Sequence, residues 1–317
     1  MKMAIAGGTG FIGKALSSYW VSQGHHVQII TRKRPETSEQ QSQPIPNSAS
    51  HTPTNPKEGQ RTYVTWDELE KDSSSLESMD AIVNLAGASL NQRWTSKAKK
   101  QILDSRLSSV HSLLKVVATL SHKPAVIIQG SAVGYYGTSL TETFDEHSAS
   151  SGTDFLSNVT RQWEHASLPF KEEGIRLVYL RTSVVLGNTG GAYPLMRLPY
   201  KLGVGGRVGS GKQWVSWIHL HDMVRLIDWC IQQKALSGPV NAASPEPVMN
   251  AEFGRVVTRV HHRPYWFPLP AFLLKTILGD QSTLLLDGQR VLPRKALDHD
   301  FHFKFPSLQK AVKDLKE

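Results

Sequence analysis

Three glycines at fixed spacing, set directly behind a short apolar strand, restrict this chain's fold more than any other feature. Residues 3–6 are apolar, Gly7-Gly8-Thr9-Gly10-Phe11-Ile12-Gly13 follows, and Ile12, Leu16, Tyr19 and Trp20 then recur at helical spacing over 11–23. A strand that turns straight into a helix needs one glycine for the tight turn and another where helix packs closely on strand. A third lets a ligand approach bare backbone. Gly24 is a natural C-cap for the helix.

The same alternation continues. Further strands are expected at 26–30, 63–66, 81–85, 125–129 and 176–180, several of them apolar throughout, as strands buried on both faces of a parallel sheet must be. Helical patterns occupy 97–120 and 154–173. The expected fold class is therefore α/β, a Rossmann doubly wound parallel sheet over residues 1–186. From about Gly187 glycine, proline and aromatic residues rise, and a smaller C-terminal substrate-side domain is expected over 187–317. Within it, Asp222 is expected to N-cap a helix at 223–232, and 269–278 to form a second packing helix. Residues 35–60 break the rhythm with five prolines and almost nothing apolar, which reads as a flexible surface insertion.

Free amides at the start of the first helix, with its positive dipole end, suit a pyrophosphate, so Gly7, Thr9, Gly10, Phe11, Ile12 and Gly13 are candidate cofactor-binding residues. NAD sites place an acidic residue at the end of the second strand, whereas an arginine there suits a 2′-phosphate. Here the strand ends Thr31-Arg32-Lys33-Arg34 with no carboxylate before Glu36, so Thr31 and Arg32 point to NADP(H). At the end of the fourth strand, Leu85-Ala86-Gly87 lets the chain pass close to adenine and ribose.

With these pieces in place the chain resembles the extended, atypical short-chain dehydrogenases/reductases, and within them the NAD-dependent epimerase/dehydratase-like group that carries its own small C-terminal domain. The motifs carrying the resemblance are Gly-Gly-Thr-Gly-Phe-Ile-Gly at 7–13, Thr31-Arg32, Asn-Leu-Ala-Gly at 84–87, Arg93-Trp94, Asp104-Ser105-Arg106, the stretch 130–137, Arg181 to Gly187, Gly209-Ser210-Gly211, Trp217-Ile218-His219, 250–253 and 288–293. The resemblance implies NADP binding, with Leu85, Ala86, Gln101 and Arg106 as further cofactor neighbours. It implies an epimerase-like oxidoreductase acting on a small carbonyl or sugar-like substrate. The alternative is a catalytically reduced NADP(H)-binding sensor.

Hydride-transfer enzymes of this kind use Tyr-x-x-x-Lys, where the lysine lowers the tyrosine pKa. No such pair occurs in this sequence. Ser131 and Tyr136 remain as candidate catalytic residues, either polarising a carbonyl or shaping the nicotinamide pocket. Gln129 precedes Gly130-Ser131, which excludes a hydrolase elbow. His219-Leu220-His221-Asp222 has no further metal-like partners, so no metal is expected. Trp214, Trp217, Trp266 and Phe267 beside Arg197, Arg207 and Lys212 suit a clamp for an anionic substrate, but such aromatics are more often core, and core is the expectation. The net charge of +9 is spread along the chain without aromatic interleaving, so neither nucleic acid nor membrane is an expected partner. A single cysteine, Cys230, excludes an intrachain disulfide and agrees with a cytoplasmic setting.

Overall fold

The computed structural model describes residues 1–35 and 59–316; the insertion expected at 35–60 lies, apart from its end residues, outside them. The chain runs β1 (Lys2–Ala6), α1 (Phe11–Ser22), β2 (His26–Thr31), β3 (Arg61–Thr65), α2 (Trp66–Lys71), β4 (Ala81–Asn84), α3 (Ser96–Thr119) and β5 (Val126–Ala132). It continues through β6 (Thr143–Phe144), α4 (Phe155–Ala166), α5 (Pro169–Glu172), β7 (Arg176–Thr182), β8 (Val184–Leu186) and α6 (Tyr193–Lys201). Then come β9 (Trp214–Val215), β10 (Trp217–His219), α7 (Leu220–Gln232), β11 (Gly238–Ala242), β12 (Val248–Met249) and α8 (Asn250–His261). The C-terminal part holds α9 (Ala271–Leu278), α10 (Thr283–Leu286), β13 (Arg290–Val291), α11 (Arg294–Asp298) and α12 (Leu308–Asp314).

Seven strands form one parallel sheet in the order β11-β7-β5-β4-β1-β2-β3. Alternation along β1 explains the layers. Met3 and Ile5 face one side, where Leu16 and Trp20 of α1 meet Met223, Leu226 and Ile227 of α7. Ala4 and Ala6 face the other, beneath Val110, Leu113 and Val117 of α3 together with Trp163 and Phe170. A third cluster gathers Tyr193, Tyr200, Trp217, Phe253, Val257, Leu308 and Val312, and forms the core of the C-terminal lobe.

The expected strands and helices are present with adjusted ends, and the departures have physical causes. Trp66 opens α2 rather than closing β3, because Thr65 and Glu68 make a reciprocal capping box. The helix expected over 154–173 stops at Ala166; the chain turns at Ser167 and restarts with Pro169 in the first turn of α5, since proline brings no amide to continue a helix. The sheet takes its seventh strand, β11, from beyond residue 186, where a separate domain was expected. Pro239 hid it, and its place at the sheet edge tolerates a proline. The helix at 271–278 was expected to pack, yet only Leu274 is buried, and Phe272 and Ile277 are 66% and 67% exposed.

Asp222 is also corrected. The cap of α7 is His219, whose Nδ1 accepts from the His221 amide at 3.1 Å. Asp222 lies in the first turn, fully buried, and accepts from the amides of Lys304 and Phe305 at 2.9 and 2.8 Å. It thus pins the C-terminal strand of chain to α7. Asp222→Ala is expected to cost about 2–4 kcal/mol, because it strands buried donors that had a charged acceptor. Urea unfolding measures the loss, and limited proteolysis should cut first near residues 300–306. Unchanged stability and cleavage would show that the pin is redundant.

Candidate functional site

The crevice forms where β1 and β4 lie side by side but send their helices to opposite faces, the switch point at which open α/β sheets bind ligands. Gly7 leaves β1 with φ +78°, a left-handed conformation, and a Cβ there would stand 2.9 Å from the backbone of Leu85 and Ala86. Gly13 sits in the first turn of α1, where a Cβ would lie 2.5 Å from the Gly7 carbonyl. Gly10 is the N-cap and no side chain caps the helix, so the first-turn amides at Phe11 and Ile12 are left to an external acceptor. Thr9 and Gly10 are exposed, and the Phe11 ring packs against Gly187, Gly190 and Gly191. The Gly7 amide donates to the Ile30 carbonyl at 3.2 Å, tying the loop to β2. There Thr31 is buried, its hydroxyl donating to the Lys33 carbonyl at 3.0 Å, while Arg32 is exposed at the strand's end.

Behind the loop, Leu85, Ala86 and Gly87 follow β4. The Ala86 amide donates to Asn84 Oδ1 at 3.2 Å and the Ala88 amide to Ser105 Oγ at 2.9 Å. Arg106 of α3 lies across Gly87, where a Cβ would come within 3.1 Å of the guanidinium. Its Nη1 donates to the carbonyls of Ala88 and Ile102, and the guanidinium sits 5.0 Å over the Trp163 ring. Burial pushes its pKa down to about 10, so it stays charged at neutral pH, and among the described residues it makes no ion pair. The structure thus brings together the loop 7–13, residues 85–87 and Arg106. Gln101 lies on the exposed side of α3.

Ser131 and Tyr136 enter a buried network instead of an open surface. The Ser131 hydroxyl donates to Glu164 Oε1 at 2.6 Å. Glu164 receives Arg181 Nε and Nη2 at 2.8 and 2.9 Å, a two-pronged pair that is almost wholly buried. Arg181 Nη1 donates to the Tyr136 hydroxyl at 3.0 Å, which donates to Asn241 Oδ1 at 2.8 Å. Tyr136 is fully buried, and burial pushes its pKa up to about 12 despite Arg181. The Tyr135 face stacks on Arg181 at 3.4 Å. Glu164, Arg181 and Asn241 were missed from sequence, although an arginine following the apolar run 177–180 is the signal that would have found them. On α4, where a Tyr-Lys pair would stand, Ser157 donates to the Gly134 carbonyl at 2.9 Å and Arg161 to Ser150 Oγ at 3.1 Å. Both fasten loops.

The aromatic residues of the C-terminal lobe divide. Trp217 is core, as expected, and Trp214 is half-buried with Arg290 4.8 Å over its ring. Trp266 and Phe267 are 70% and 62% exposed, against the expectation of core. Among the described residues no cluster of three or more His, Cys, Asp or Glu is set to hold a metal. Likewise, no helix among them is long and apolar enough to cross a membrane.

Comparison with known proteins agrees with this geometry. Residues 3–243 match the model of the NAD dependent epimerase/dehydratase family, and residues 269–315 match a domain of unknown function, DUF1731. The chain is 41% identical over 316 residues to the epimerase family protein YfhF of Bacillus subtilis, covering 99% of this chain and 98% of that one. It is 41% identical over 313 residues to the epimerase family protein SH2119 of Staphylococcus haemolyticus, covering 98% and 97%. Among solved structures it is similar to the human epimerase family protein SDR39U1 (isoform 2) with NADPH, at 35% identity, a TM-score of 0.85 and 99% of both chains.

The buried network yields a stability signature. Glu164→Gln leaves Arg181 without its counter-charge and is expected to cost about 3–5 kcal/mol. Tyr136→Phe, which leaves Asn241 Oδ1 without its donor, is expected to cost about 1–3 kcal/mol. Replacing both charges, Glu164→Gln with Arg181→Met, should recover part of the loss. Denaturant unfolding of these variants and of Arg181→Met alone is the check; a loss in the double charge variant equal to the sum of the two single losses would mean that the pair is not coupled.

Proposed function

The chain belongs to the NAD dependent epimerase/dehydratase family, and from that premise we propose that it binds NADP(H) and moves hydride to or from a small carbonyl or sugar-like substrate. The observation that carries the cofactor reading is the uncapped start of α1 beside a half-buried arginine with no acidic partner among the described residues. Together these offer free amides and a cation without counter-charge, the complement of a phosphate group. Gly7 and Gly13 keep the cradle open, because a Cβ at either would collide with backbone. On this reading Phe11 and Ile12 offer amides to the pyrophosphate, Leu85 to Gly87 flank the adenine side, and Arg32 pairs with the 2′-phosphate. When bound, the nicotinamide ring supplies the hydride chemistry. The chain's own residues orient it: Phe11 is held by the glycines at 187–191, and the Arg181–Glu164 pair keeps the end of β5 rigid. The division near residue 186 then separates a cofactor side from a substrate side, with α7 and β11 returned to the sheet.

A second reading, an NADP(H)-binding regulatory protein, is favoured by the commitment of the Ser131 and Tyr136 hydroxyls to buried partners. A phenol held near pKa 12 is a poor base at neutral pH. Turnover separates the two readings. An enzyme oxidises NADPH with some member of a panel of small aldehydes, ketones and nucleotide sugars; a regulatory protein binds it and turns over none.

Two titrations test the cofactor site. Arg32→Ala is expected to weaken NADPH by about 10–100-fold and leave NADH nearly unchanged, since a charge-assisted pair with phosphate contributes about 1.5–3 kcal/mol. Equal effects on the two would remove the case for NADP(H). Arg106→Met should weaken both cofactors by at least about tenfold while leaving the ligand-free protein nearly as stable, because a half-buried charge without a counter-ion is removed. Calorimetry and thermal unfolding read the two effects separately. Parallel loss of stability and affinity would make Arg106 a packing residue.

A further inference from the structure

A hollow of about 300 Å³ opens in the wall of the C-terminal lobe, away from the glycine loop, between α8 and the segments at 206–207 and 265–268. Arg207, Arg255, Tyr265 and Trp266 line it, with Gly206 and Pro268 at the edges. The walls are held together by backbone. The Leu269 amide donates to the Arg207 carbonyl at 2.8 Å, and the Gly209 amide to the Leu269 carbonyl at 2.9 Å.

Each lining group has capacity that the protein does not use. Arg207 makes no ion pair among the described residues, and its stem is braced over Gly211, where a Cβ would lie 2.6 Å from Cγ. Arg255 pairs with Glu252, one helical turn away at 3.4 Å with both side chains well exposed, a pair of little strength, and its guanidinium lies 5.9 Å over the Tyr265 ring. The Tyr265 hydroxyl is buried and has no hydrogen-bond partner. Both guanidiniums bear on that phenol and oppose the rise in its pKa that burial causes. The Trp266 ring is 70% exposed yet fixed in place, with Nε1 donating to the Gly203 carbonyl at 2.8 Å and its amide to Gly205 at 3.1 Å.

Two cations beside a rigid, open aromatic face call for one kind of ligand. We propose that this hollow binds a small phosphate monoester carrying a planar ring, the phosphate taken by Arg207 and Arg255, and the ring stacked on Trp266. A phosphate is favoured over a carboxylate because it has oxygens enough for both guanidinium forks together. The open indole adds stacking at little entropic cost, since its orientation is already set. This site does not depend on the cofactor reading, and it gives the lobe a recognition surface of its own.

Phenyl phosphate is the probe, titrated into the full chain with tryptophan fluorescence and calorimetry as readouts. One saturable site is expected, weakened about tenfold or more by Arg207→Ala and by Arg255→Ala. The fluorescence change should vanish in Trp266→Phe, and Arg106→Met should leave binding untouched. The substituted side chains of the hollow are at the surface, so an unchanged unfolding midpoint confirms that these variants fold. Absence of saturation, equal affinity in either arginine variant, or equal binding of neutral benzyl alcohol would overturn the proposal. Loss of binding in Arg106→Met would place the probe in the crevice and also overturn it. So would capture by phosphatidic acid vesicles without any binding of phenyl phosphate, because that ligand would be a lipid surface.

Discussion

Everything in this molecule is arranged around the place where β1 ends. β1 lies in the interior of seven parallel strands and is covered on both faces, so its last residue has nowhere to go but upward into a helix. Gly7 makes that turn where a Cβ would stand 2.9 Å from the backbone of Leu85 and Ala86, just past β4, and Gly13 brings the helix down onto the turn. A side chain at either position would separate α1 from the sheet, and with it the α1–α7 layer that covers Trp20. The same closeness leaves the amides of the first turn facing an open crevice. Packing and ligand binding are thus two consequences of one backbone path.

Two arginines, one buried and one half-buried, show how differently charge can be used inside such a fold. Arg181 has a full counter-charge in Glu164 and passes its remaining proton donors to Tyr136, so its cost of desolvation is offset within the protein. It organises the end of β5 whether or not a ligand is present. Arg106 is only half-buried, and its partners are two carbonyls and an aromatic face. Partial charges of that kind hold a guanidinium in position without neutralising it. A site that retains an uncompensated cation in this way is poised for an anion, whereas a balanced pair such as Arg181–Glu164 has no such use for one.

Much of this was legible in the sequence because local chemistry dictated it. The glycine spacing, the apolar runs of β1, β4 and β5 and the helical stripe of α1 each need only their own neighbours to be read. What sequence hides is partnership at a distance. Asp222 looks like a cap because capping is what a buried-looking aspartate before an apolar stripe does; its true partners lie at Lys304 and Phe305, some eighty residues on. Ser131 and Tyr136 look catalytic until Glu164 and Asn241 arrive from α4 and β11 to take their hydroxyls. β11 itself was hidden by Pro239, since edge position, which excuses a proline, is a property of the finished sheet.

The C-terminal segment matched by the DUF1731 model carries the point furthest, because it has no core of its own. Ala296 and Phe301 join the cluster beneath α1 and α7; Phe305, Leu308, Ala311, Val312 and Leu315 complete the core of the lobe; Val291 packs with Val133, Tyr136 and Phe144. Lys99 pairs with Asp280 at 2.6 Å and Gln281 donates to the Leu90 carbonyl at 3.3 Å, so the segment also reaches the loop behind the crevice. Surface pairs of this type contribute little energy, and their effect is to set direction. A segment whose apolar residues are divided among three clusters cannot fold before those clusters exist, and cannot shift without disturbing all of them. It is therefore better understood as a strap that completes the Rossmann layer, the lobe and the network around Tyr136 at once.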